Sequence, residues 1–140
     1  MKASLNWVGD KAFSYKSNSG FDGFIDGAAK DSDQAKGPSP MELVLVGLGG
    51  CTSYDVVSIL QKSRQDVVDC QTELTAERAD TVPAVFTKIH IHFVVTGRQL
   101  KPAQVERAVS LSAEKYCSAS LMLERGGVEI THDFEIVEVD

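Results

Sequence analysis

The chain is predicted to fold as an α+β domain in the order βββ-α-ββ-α-(α)-β, with a mostly antiparallel sheet around a long central helix. Three observations predict this. Apolar residues alternate with polar ones in the first third and again between Val68 and Val95. Two segments opened by Pro40 and Pro102 carry helical spacing instead. Gly, Pro and Asp cluster between these runs, where turns are expected.

Leu5, Trp7, Phe13 and Tyr15 flank Val8-Gly9-Asp10-Lys11, a glycine-containing turn that predicts a hairpin. A third short strand follows over Phe21 to Ile25, and the polar stretch Ala28 to Gly37 reads as an exposed loop. Ser39 is a helix cap, and Pro40 fits the first turn because the backbone N–H there is unpaired anyway. The helix is expected to run from Met41 to about Lys62. Leu43, Val44, Leu45, Val46 and Leu48 make its first half apolar on nearly every side, so it is expected to be buried all round. Gly49 and Gly50 each cost such a helix about 1 kcal/mol relative to alanine, which predicts close approach of another backbone.

Two alternating strands come next. Val68, Cys70, Thr72, Leu74 and Ala76 form the apolar phase of the first, and Val85, Ile89, Ile91, Phe93 and Val95 that of the second. Val105, Ala108, Val109, Ser112, Ala113, Tyr116 and Cys117 then share one face of a second helix, which places Cys117 in its last turns. A short helical piece through Leu121-Met122-Leu123 stops at Gly126-Gly127. A last strand, Val128 to Val139, turns Val128, Ile130, Phe134 and Ile136 inward.

At 140 residues the chain is read as one domain, 1–140, able to bury roughly two-thirds of its unfolded surface without disulfide or metal staples. A net charge of −6 argues against nucleic-acid and anionic membrane partners. The N-terminal residues lack the apolar core of a signal peptide, and the uncharged stretch Leu43 to Tyr54 is too short and glycine-rich to span a bilayer. The expectation is a cytoplasmic protein with reduced cysteines.

Three cysteines then need an account. Cys70 shares the apolar phase of its strand and reads as a small packing residue. Cys51 follows two residues without side chains, and Cys117 lies on the other helix, so the two could meet; buried unreactive thiols are the alternative.

Ser39-Pro40-Met41-Glu42-Leu43, Gly47-Leu48-Gly49-Gly50-Cys51 and Tyr116-Cys117-Ser118-Ala119-Ser120 resemble the motifs of the OsmC/Ohr family of osmotically induced and organic-hydroperoxide-resistance proteins. Length and element order agree over essentially the whole chain, closest to a small OsmC-like branch. The resemblance implies an intertwined homodimer and a thiol peroxidase without cofactor or metal. Cys51 would be the peroxidatic cysteine, Cys117 the resolving one and Glu42 a third catalytic residue. The partners implied are an organic hydroperoxide and an external dithiol reductant.

The chain departs from the family at two places. No arginine precedes Arg64, where the family uses one to stabilise the thiolate, and Met41 follows the proline while Glu42 comes one residue later. Lys11, Lys16, Lys36 or a second subunit would then supply the positive charge. The resemblance leaves a second functional class standing, a stress-associated binding or structural dimer with little turnover. A third reading is a metal-binding protein using Cys51, Cys117 and a histidine. His90 and His92 share a strand face that could hold zinc, although two exposed histidines are the simpler reading, and His132 falls on an inward phase.

Overall fold

A computed structural model describes residues 1–140. It shows a mixed α+β fold with two three-stranded sheets and three α-helices. The chain divides into two compact units, Met1–Val46 and Gly47–Asp140.

In the first unit, β1 (Ala3–Gly9), β2 (Ala12–Ser17) and β3 (Asp22–Asp26) form an antiparallel meander. Around its first turn Gly9 takes φ 115° and Asp10 φ 45°, positive angles that glycine and aspartate accept more readily than most residues. Leu5, Trp7, Phe13, Phe21 and Phe24 all stay exposed. The loop after β3 is organised by Asp26, whose carboxylate accepts the N–H groups of Ala28 at 2.9 Å and Lys36 at 3.1 Å. Those two bonds hold its pKa below the ordinary carboxylate value.

Helix α1 (Pro40–Lys62) begins in this unit and ends in the second. A capping box opens it: Ser39 N–H donates to Glu42 Oε2 at 2.7 Å, and Glu42 N–H donates to Ser39 Oγ at 3.3 Å. The helix is not buried all round as its composition suggested. Leu48, Thr52, Val56 and Leu60, four residues apart, are buried, whereas Val44, Val46 and Tyr54 are exposed. By length and hydropathy alone α1 could cross a membrane; that regular buried face marks it as a core helix of the second unit.

The sheet of the second unit has β5 (Phe86–Arg98) at its centre, with β4 (Asp66–Arg78) antiparallel on one side and β6 (Glu129–Glu138) parallel on the other. Parallel pairing of β5 and β6 needs a long crossover. Helices α2 (Pro102–Leu111) and α3 (Ser118–Arg125) supply it, joined by a π-helical turn at Ser112–Tyr116. Ile89, Ile91, Phe93 and Val95 of β5 and Val105, Ala108 and Val109 of α2 are buried.

Four packing expectations are corrected here. Register shifts at Val67/Asp69 and Glu77/Arg78 move the apolar phase at the strand ends, so Val68 and Val85 are exposed and Phe86 is buried. Tyr116 is exposed because the π turn rotates it off the buried face. At the glycine pair the close neighbour is a side chain and meets only Gly49: a Cβ there would lie 2.8 Å from Leu74 Cδ1, while Gly50 faces open space.

Gly97 has no such latitude. A Cβ on it would run into the Asp66 carbonyl oxygen and lie 2.8 Å from both Leu100 methyl groups. Gly97→Ala is expected to destabilise the protein by at least about 2 kcal/mol, read as a lowered thermal midpoint.

Candidate functional site: a thiol pair beside Asp55

Cys51 and Asp55 are four residues apart on α1 and therefore project from the same face. Cys117 reaches them from the junction between the π turn and α3. A Cys51 sulfur, an Asp55 carboxylate oxygen and the Cys117 sulfur all lie within 4.8 Å of one another. Both thiols are free; Cys51 is half-buried and Cys117 is buried.

The chain around Cys117 differs from the uninterrupted helix expected. Ser112–Tyr116 winds as a π turn, closed by Cys117 N–H donating to the Ser112 carbonyl at 2.9 Å. Cys117 itself is extended (φ −76°, ψ 103°) and is the N-cap of α3. Its sulfur accepts the Ser120 N–H at 3.4 Å, doing for α3 what an oxygen usually does at a cap. Burial first, then the neighbouring Cys51 and Asp55, push the Cys117 thiol up to about 12, and the Ser120 N–H offsets only part of that.

Asp55 is held by Ser112, the first residue of the π turn. The Ser112 hydroxyl accepts or shares a proton with Thr52 Oγ1 at 2.8 Å, and points at the Thr52 carbonyl at 3.2 Å and Asp55 Oδ2 at 3.3 Å. Burial raises the Asp55 pKa, and the Ser112 bond counteracts it. The same carboxylate lines a cavity of about 430 Å³ with Ile59, Leu111, Tyr116 and the cations Lys62 and Arg107. Asp55 was not among the expected site residues, although it is the single charged residue between Glu42 and Lys62.

The other expected residues fall elsewhere. Glu42 sits in the capping box, and the Ser39 backbone and hydroxyl bonds hold its pKa below the ordinary value. Cys70 is half-buried on β4, opposite Val95, and burial raises its pKa. His90 and His92 do not join the thiols. Both donate to one oxygen, Asp133 Oδ1, from His90 Nε2 at 3.1 Å and from His92 Nδ1 at 2.7 Å.

These bonds raise the His92 pKa and lower that of Asp133. A raised histidine contributes stability below about pH 6.5, lost as pH rises through its folded pKa; a lowered aspartate contributes above about pH 4, lost as pH falls through its folded pKa. The stabilisation from the pair is therefore expected to be greatest between about pH 4 and 6.5. Melting curves of wild type and Asp133→Asn should diverge most in that window and converge at alkaline pH.

An α+β scaffold presenting two reduced thiols to each other defines a dithiol protein. The model of the family described as OsmC-like protein matches residues 32–133, and the chain belongs to that family. It is 56% identical over 137 residues to the protein YhfA of Escherichia coli K12, covering 98% of both chains. Among solved structures, a hypothetical protein from Aquifex aeolicus VF5 superposes with a TM-score of 0.85 at 28% identity, covering 99% of this chain and 97% of that one. An organic hydroperoxide resistance protein OsmC from Legionella pneumophila gives 0.69 at 17% identity, over 96% and 95% of the two chains, and shares the fold.

Proposed function

We propose that the protein is a thiol-dependent peroxidase that reduces organic hydroperoxides through Cys51 and Cys117. The observation that carries this reading is the placement of two free sulfurs within 4.8 Å on separate elements, one half-buried beside open space at Gly50 and the other buried. The Cys51 thiolate attacks the O–O bond, the alcohol leaves, and Cys51 becomes a sulfenic acid. Cys117 then condenses with it, releasing water and forming a disulfide. The sulfurs need to close by less than about 3 Å to reach bonding distance. An external dithiol restores both thiols by exchange.

Asp55 is the group placed to take the proton that Cys51 gives up, since burial makes its carboxylate a better base than an exposed one. The cavity it lines has Ile59 and Leu111 for an alkyl or aryl substituent. The relative from Legionella pneumophila, named for organic hydroperoxide resistance, supports the substrate class.

In this reading residues 1–140 act as one domain in a cytoplasmic homodimer engaged in oxidative or osmotic stress defence. The exposed Leu5, Trp7, Phe13 and Phe24 on the first sheet and Val44, Val46 and Tyr54 on α1 are the surfaces a second copy would cover. The decisive assay follows consumption of cumene hydroperoxide and hydrogen peroxide with dithiothreitol as reductant. Preferential consumption of the organic substrate is expected, with loss of two hydrogens by intact mass after one equivalent. A wild-type protein that consumes neither would leave a binding or structural dimer as the better account.

A further inference from the structure

We propose that Cys51, Asp55 and Cys117 of the reduced protein form a three-donor site for a borderline divalent cation, with zinc the best match, and that forming the disulfide ejects the ion. The donor set is two sulfurs and one carboxylate, the mixture that selects zinc over magnesium or calcium. Its three atoms already lie within 4.8 Å of one another. A tetrahedral zinc at ordinary bond lengths holds such atoms about 3.6–3.8 Å apart, so a contraction of about 1 Å completes the site.

The surroundings fit a bound cation. Ser112 bonds Asp55 Oδ2 and Ser120 N–H bonds the Cys117 sulfur, the supporting contacts that orient metal ligands. The i, i+4 spacing of Cys51 and Asp55 places two donors on one helix face. Three protein donors leave a fourth coordination position, and the cavity beside Asp55 gives water or a small ligand access to it. The histidines expected as metal donors are instead engaged by Asp133, so the third donor is the carboxylate.

The ejection step balances. Two metal-bound thiolates, one organic hydroperoxide and two protons give one disulfide, one alcohol, one water and the free cation. This half rests on the peroxidase reading; the site itself does not.

Zinc titration of the reduced, chelator-stripped protein is expected to show one site. Cobalt substituted for zinc should give a thiolate-to-cobalt charge-transfer band. Asp55→Asn, with folding checked by circular dichroism, is expected to weaken zinc binding by about 10-fold or more, while Cys70→Ser and His90→Ala leave it unchanged. Absence of the cobalt band in wild type, or binding that survives Cys51→Ser with Cys117→Ser, would overturn the site. Hydroperoxide-treated protein should release its zinc as the disulfide forms; zinc retained with the disulfide complete would overturn the ejection. Failure of the disulfide to form would count against the peroxidase reading and the ejection, with the zinc and cobalt titrations of reduced protein still deciding the site.

Discussion

Replacing Cys51 by serine is expected to abolish hydroperoxide consumption, a loss of about 10³-fold or more, because the substitution removes the attacking atom itself. Cys117→Ser should behave differently. The first oxidation still occurs, but the sulfenic acid on Cys51 has no neighbouring thiol to condense with, so catalytic turnover falls while a single equivalent is consumed. A sulfenic-acid probe should label Cys117→Ser and not Cys51→Ser. Equal activity of Cys51→Ser and wild type would remove Cys51 from the mechanism.

The largest stability effect is expected at Phe93. It lies at the centre of β5, fully buried, in register with Thr72 of β4 and Phe134 of β6. Phe93→Ala deletes most of a buried ring and leaves a cavity that flanking strands cannot close, a cost of about 3–5 kcal/mol. For a domain of this size that lowers the thermal midpoint by more than about 10 °C. Midpoints that agree to within a few degrees would mean that the sheet face is not the core.

The elements were legible in the sequence because each carries local chemistry that decides it. Gly9-Asp10 permits the left-handed turn, Ser39-Pro40 starts α1, and Gly126-Gly127 stops α3. The misplacements at Val68 and Val85 arise where one extra residue enters a strand and flips the side-chain phase, which alternation alone does not encode. Cys51 and Cys117 stood out as a pair that could meet, and the structure brings their sulfurs together. Asp55 was available to the same reading, since a lone charge in an apolar helix one turn beyond a cysteine needs a buried partner or a task. The capping role of Glu42 was also written in Ser39-Pro40-Met41-Glu42, the spacing of a capping box. The break before Cys117 left no comparable trace, because Ser112 to Tyr116 contains neither glycine nor proline.

That break makes residue count part of the site's chemistry. A π turn holds one residue more than an ordinary helical turn, and here it lies immediately ahead of the sulfur. Were Ser112 to Tyr116 to wind as regular helix with all its residues kept, everything after it would swing by about 100° around the axis. Cys117 would keep its place in the sequence and lose its bearing on Cys51. The surplus residue works as a phase setting, and the same chain wound as one uninterrupted helix would carry two unconnected thiols.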